Sequence, residues 1–208
     1  MFELLATRQD APSLTVHPEP VSGGTGDSSS VGNRTAGNGA GHVTTTLVVA
    51  GVSGSGKSTI GRAVAERAGW AFAEGDDLHP EANRRKMGAG VPLDDSDRWP
   101  WLRRVAAWIG AQERAGRCAV VTCSALSRRY RDLLREGHPS LRFVLLQVDG
   151  ELLEARLRAR TGHFMPASLL ASQLAALEPL GADEPGTVVP AGGPVDAVVA
   201  AVLAEARA

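Results

Sequence analysis

The feature that most constrains this chain is a glycine-rich turn, Gly51-Val52-Ser53-Gly54-Ser55-Gly56-Lys57-Ser58, set between an apolar run and a segment of helical periodicity. It fits the pattern G-x-x-x-x-G-K-[ST], and each fixed position has a physical reason. Glycine at 51, 54 and 56 allows positive φ and lets the backbone approach an anion with no Cβ in between. Successive N–H groups then converge as a nest in front of the positive end of the following helix. In such a loop Lys57 reaches the β- and γ-phosphates of a nucleotide, and the Ser58 hydroxyl serves Mg²⁺. The flanks agree: Leu47-Val48-Val49-Ala50 reads as a buried parallel strand, and Ile60, Val64, Ala65 and Ala68 give one apolar helix face. Lys57 and Lys86 are the only lysines in a chain whose other basic side chains are arginine, so a lysine in the required slot carries weight.

The 208 residues, 43% of them hydrophobic, suffice for one domain with a sizeable core. With 22 basic against 23 acidic residues, net −1, the composition argues against a nucleic-acid footprint and for small-molecule partners. No stretch has the apolar length of a membrane span, and the first residues, MFELLATRQDAP, lack both a basic and an apolar region of a signal peptide. A cytoplasmic protein is the default expectation. Cys118 and Cys123 lie five apart in what reads as one strand, so they point to opposite faces and form neither a disulfide nor a zinc site.

Residues 1–42, rich in Gly, Ser, Thr, Pro and Asn, read as a disordered extension, with the domain running from 43 to 208 and Val43 a candidate alternative start. After the first helix, with Gly69 as its C-cap, Trp70 to Ala73 reads as a second strand, followed at once by Glu74, Asp76 and Asp77. In an open α/β sheet the carboxyl ends of the strands line the ligand crevice. Acids there are suited to hold water on Mg²⁺ or to accept a hydroxyl proton, although a solvated turn is their ordinary fate. Pro80 opens a helix through about Met87, and Asp97 reads as the N-cap of a helix that buries Trp101, Val105, Trp108 and Ile109. Arg117 to Cys123 is the third strand, with Ser124 just beyond it, and the basic cluster Arg128-Arg129-Tyr130-Arg131 that opens the next helix reads first as solvated surface. Leu141 to Val148 forms the fourth strand and Glu151 to Arg160 a helix whose late arginines either complement the helix dipole or close over a phosphoryl group as a lid. A hinge at 161–166, a helix at 168–177, a short strand at 187–189 and a closing helix at 195–206 complete the pattern. Strands alternate with helices throughout, which predicts an α/β fold with a parallel sheet flanked by helices.

A GTPase would need an N-K-x-D or T-K-x-D segment, which two lysines at 57 and 86 do not supply, and a motor or helicase would need more chain. What remains is the layout of a small-molecule kinase. Four stretches sharpen it: GVSGSGKSTIG at 51–61, EGDDLHPEANRRKMGAGVPLDDSDRWPWL at 74–102, CSALSRRYRDLLR at 123–135 and RLRARTGHFMPASLLASQLAALE at 156–178. Through them the chain resembles the gluconokinases of the thermoresistant type, P-loop kinases related to shikimate and adenylate kinases. The resemblance implies a P-loop kinase fold, a five-stranded parallel sheet with helices on both faces and a small lid. It implies transfer of the γ-phosphoryl of ATP to the C6 hydroxyl of D-gluconate with Mg²⁺, and a homodimer is what the family suggests.

Carried over by position, Gly51, Val52, Ser53, Gly54, Ser55, Gly56, Lys57, Ser58 and Thr59 bind ATP, and Ser58 with Glu74 serves the metal. Asp76 orients and deprotonates the sugar hydroxyl. His79, Asn83, Lys86, Arg98 and Ser124 line the gluconate pocket, with Lys86 or Arg98 paired to the carboxylate, while Arg156, Arg160 and His163 form the lid. Lys57, Arg156 and Arg160 offset charge during transfer. Two departures stand out: Glu74 occupies a position where many relatives have Asp, and Pro190-Ala191-Gly192-Gly193 replaces a segment that often carries an acid. The rival expectations are a kinase for another hydroxylated acid such as shikimate, and a non-catalytic nucleotide-binding module.

Overall fold

The computed structural model describes residues 44–159 and 167–206. The extension at 1–42, together with Arg160 and His163, lies outside the described residues. Five strands run β1 (Thr46–Ala50), β2 (Ala71–Glu74), β3 (Ala119–Thr122), β4 (Leu141–Gln147) and β5 (Gly186–Pro190). They pair in the order β2-β3-β1-β4-β5, every pair parallel. The helices are α1 (Lys57–Ala68), α2 (Glu81–Gly88), α3 (Asp95–Arg114), α4 (Arg128–Arg135), α5 (Gly150–Ala159), α6 (Ala167–Ala175) and α7 (Val195–Glu205), with one 3₁₀ turn at Gly75–Leu78.

β1 is apolar without alternation because both of its faces are covered. Val48 and Ala50 pack with Trp101, Leu102, Val105 and Ile109 of α3 and with Tyr130 and Leu134 of α4. Leu47 and Val49 point the other way, onto Ile60 and Val64 of α1 and Val198, Val199 and Val202 of α7. Full burial of each such side chain contributes roughly 1.5–3 kcal/mol, so the central strand is the most firmly held part of the sheet. The predicted five-stranded parallel sheet with helices on both faces is thus what the chain forms.

The third helix begins earlier than its sequence indicates. Asp97 is not its N-cap: Asp94 is, its carboxylate accepting from the Asp97 N–H at 3.1 Å, while Asp97 returns a bond from the Asp94 N–H at 3.1 Å. This reciprocal box satisfies two orphan donors and outweighs the i−4 bond that Pro100, now past the first turn, cannot make. Trp101 is core at 3% exposed, whereas Trp108 is only partly buried at its edge. β3 is shorter than predicted, so Cys118 and Cys123 flank it, both as free thiols.

Candidate active site

The turn between β1 and α1 takes the backbone that its glycines permit. Gly51, Gly54 and Gly56 have φ of 139°, 81° and 96°, and α1 starts at Lys57 with no side chain capping its first N–H groups. Those donors are what an anion binds at a helix N-terminus. In front of them lies a cavity of about 380 Å³ lined by Ser53 to Ile60, Glu74, Asp76, Arg156, Leu157, Ala191, Gly193, Val195 and Val198. Of the phosphate-loop residues, Gly51 and Val52 stay out of the lining. Gly51 donates to the Ser124 carbonyl at 3.3 Å, and Val52 is buried with its carbonyl 3.0 Å from Lys57 Nζ.

The two acids reach this cavity because β2 ends beside β3. Glu74 is paired in register with Thr122. The Thr122 hydroxyl donates to the Glu74 carboxylate and accepts the Gly75 N–H at 3.1 Å. A Cβ on Gly75 would lie 1.9 Å from the Thr122 carbonyl oxygen, so only glycine lets the chain turn there. The Trp101 indole N–H donates to Gly75 O at 2.7 Å and the His79 N–H to Asp76 O at 3.2 Å, which fixes the 3₁₀ turn carrying Asp76. Burial pushes the thiol of nearby Cys123 up to about 12; the Asp76 carboxylate adds to the rise, and the Ala125 N–H and Lys57 oppose it. Asp76 and Lys57 therefore act on the same thiol as well as lining the same cavity. Thr122, which holds Glu74, went unnoticed in the sequence because a pairing 48 residues apart depends on strand register.

His79, Asn83, Lys86 and Arg98 form a second group, outside this lining, whereas Ser124 is tied to the phosphate loop through its carbonyl, which accepts the Gly51 N–H. Asn83 donates to the Asp97 carbonyl at 2.8 Å and lies 3.2 Å from His79 Nδ1; since a carbonyl only accepts, the same NH₂ group serves both, and Nδ1 is an acceptor. His79 stacks on Trp101 with ring centroids 4.1 Å apart. Burial, then the charges of Arg84 and Arg98, lower its pKa to about 4, so the ring is neutral. Lys86 Nζ bonds both carboxylate oxygens of Asp97 at 2.7 Å, and this hydrogen bond raises its pKa. Arg98 lies over the Tyr130 ring and donates to its hydroxyl at 3.1 Å. Arg156 lines the main cavity and donates to the Ala191 carbonyl at 2.9 Å.

The basic cluster at the start of α4 is only partly surface. Arg128 and Arg129 pair with Asp183 and Asp95. Arg131, by contrast, is 0% exposed: it pairs with buried Glu184 and donates to the carbonyls of Ala125, Leu126, Glu178 and Pro179. It thereby holds the loop after β3, where Ala125 takes a φ of 42°.

Acids from one parallel strand facing a phosphate loop on another is the arrangement of P-loop kinases, and this chain has their fold. Its residues 47–180 match the family described as AAA domain. It is 54% identical over 139 residues to the gluconokinase of Gluconobacter oxydans (strain 621H), covering 67% of this chain and 78% of that one. It is 45% identical over 157 residues to the thermoresistant gluconokinase of Escherichia coli (strain K12), covering 75% and 90%. The crystal structure of a gluconokinase from Sinorhizobium meliloti 1021 superposes with a TM-score of 0.70 at 45% identity, over 78% of this chain and 91% of that one. The chain belongs to the gluconokinase family.

Proposed function

We propose that this protein transfers the γ-phosphoryl group of ATP to a terminal hydroxyl of D-gluconate, giving 6-phosphogluconate and ADP. The observation that carries the reading is the meeting of Lys57 and Asp76 in one cavity. The N–H groups at the start of α1 receive the phosphates, and Lys57 turns from the Val52 carbonyl onto the β- and γ-oxygens. Asp76 takes the hydroxyl proton as the oxygen attacks in line. Ala191, Gly193, Val195 and Val198 give the far end of the cavity a largely apolar wall for the base, with Arg156 beside it.

Ser58 and Glu74 place hard oxygen donors in the same cavity, a set suited to Mg²⁺, which takes one or two protein ligands and otherwise phosphate and water oxygens. Such an ion would supply positive charge that offsets the charge developing on the transferred group. Because Lys86 is engaged by Asp97, Arg98 is the cation that pairs with the gluconate carboxylate, from its place beside His79. Ser124, following β3, lines the sugar's path, and Arg160 and His163 keep the lid role that the family resemblance gives them.

A coupled assay of ADP release across gluconate, shikimate and nucleoside monophosphates tests the reading. Release that depends on gluconate alone supports it; dependence on another acceptor, or none at all, refutes it. Among the described residues no helix is long and apolar enough to cross a membrane. A cytoplasmic homodimer is the proposed form, and light scattering on the purified chain checks the dimer.

A further inference from the structure

The phosphate loop is gripped from a helix far away in sequence. The Ser53 N–H lies 2.7 Å from Gln173 Oε1, and Gln173 Nε2 lies 3.4 Å from Ser53 Oγ. A backbone N–H only donates, so the carboxamide must present its oxygen there and its NH₂ to the hydroxyl. Just below, Val52 is buried in an apolar cluster with Leu126, Leu153 and Leu170, against which Leu177 packs. Leu170 and Gln173, three apart on α6, share one face, and Leu177, just past the end of the helix, packs on the same cluster. One polar residue within an apolar stripe is explained by the one backbone donor it meets.

The contact divides the loop by task. Val52 and Ser53 are anchored by α6 and its neighbours, and the Ser53 N–H is already satisfied. The Ser55 N–H is spent inside the loop on the Val52 carbonyl at 3.2 Å, and the first turn of α1, which no side chain caps, lines the cavity where an anion would sit. We propose that Gln173 is a positioning residue: it holds the Ser53 peptide so that the phosphate loop keeps its anion-receiving shape before a nucleotide arrives. It acts through Ser53 rather than on the nucleotide. A neutral carboxamide suits the place, since a carboxylate would grip the same N–H while repelling phosphate. The proposal rests on the reading of residues 51–58 as the ATP site.

The test uses the full-length chain with Gln173→Met, which keeps bulk and packing but makes neither hydrogen bond, and with Gln173→Glu, which keeps an acceptor and adds charge. For Gln173→Met, the KM for ATP should rise roughly 3- to 10-fold, the worth of one net hydrogen bond, with kcat and the KM for gluconate little changed. The inhibition constant of adenosine, which has no phosphates, should stay put. For Gln173→Glu, the KM for ATP should rise further and recover part of the way at higher salt, as a screened charge does. Hydrogen exchange on the unliganded wild-type protein should find the Ser53 amide protected, and the Met variant should lose that protection. An unprotected Ser53 amide in the wild type overturns the proposal, as does an equal weakening of adenosine and ATP in the Met variant. If Lys57→Ala abolishes ATP use while Gln173→Met leaves the KM for ATP as it was, the positioning role fails and the nucleotide site stands. If the wild-type protein binds no ATP, both fail.

Discussion

Lys57 Nζ rests 3.0 Å from the carbonyl oxygen of Val52, a residue of the same turn. The side chain is folded back across the loop, beside the cavity proposed to receive the phosphates. Under the proposed function, Lys57→Ala removes a charge that acts on the transferred group, and it touches little of the core. Turnover should fall roughly a hundredfold or more, on the scale of losing one transition-state donor, while the thermal midpoint stays close to that of the parent. Steady-state kinetics beside a melting curve checks this; near-normal activity would exclude the proposed role.

Asp76 is held at the cavity by the turn that Gly75, Trp101 and His79 fix, so Asp76→Asn changes its chemistry without moving it. The variant should still bind ATP, and its phosphorylation of gluconate should drop by about 10²–10⁴, the usual contribution of a general base. Calorimetric titration with ATP, set against the ADP-release assay, separates the two effects. Unchanged turnover would remove Asp76 from its role.

Arg131 and Glu184 are both fully buried, and burial alone would push the Glu184 carboxyl up. Bonds from Arg131 and the Gly181 N–H instead hold it below the usual carboxylate range. Arg131→Met would leave an unpaired buried carboxylate and strip partners from several carbonyls, at a cost of about 3–5 kcal/mol. The double change Arg131→Met with Glu184→Gln should cost less than the sum of the single ones, because no charge is then orphaned. Urea denaturation of the three variants measures the difference.

His79 gives stability a defined acid dependence. Its pKa falls from 6.5 to about 4 on folding, chiefly by burial and then through Arg84 and Arg98. Above the upper value both folded and unfolded rings are neutral, and the contribution is intact. Between the two values the unfolded chain takes up a proton that the folded one refuses, so stability declines as the pH drops, at up to about 1.4 kcal/mol per pH unit. In His79→Gln that part of the slope should vanish from a pH series of urea midpoints; an identical slope in the variant would place the titration elsewhere.

Much of this was legible in the residues. The phosphate loop announces itself because its constraints are local: glycines, lysine and serine within one turn. The strands could be counted because each is a short apolar run between turns. What could not be read depends on contacts distant along the chain. Asp94-Asp95-Ser96-Asp97 offers several caps, and Asp97, just ahead of the apolar helix face, reads as the cap until the reciprocal bonds with Asp94 place the start earlier. Arg131 stands among arginines that pair at the surface, and only the packing of α4 against a segment 53 residues further on brings it to the buried Glu184. Lys86 and Arg98 looked interchangeable as partners of a carboxylate until Asp97 was found to engage the lysine.

The ties between α4 and residues 178–184 have a consequence for how such a chain can vary. Glu178 N–H donates to the Leu126 carbonyl at 2.9 Å, and Glu184 is clasped by Arg131, so the return of the polypeptide to β5 is set by α4. The stretch between β4 and that anchorage is thus fastened at both of its ends. Its length and composition can then drift, or be exchanged with those of a relative, without disturbing the strand order beneath, provided Arg156 at the cavity, the leucines packed around Val52 and the carboxamide that meets Ser53 are kept in step.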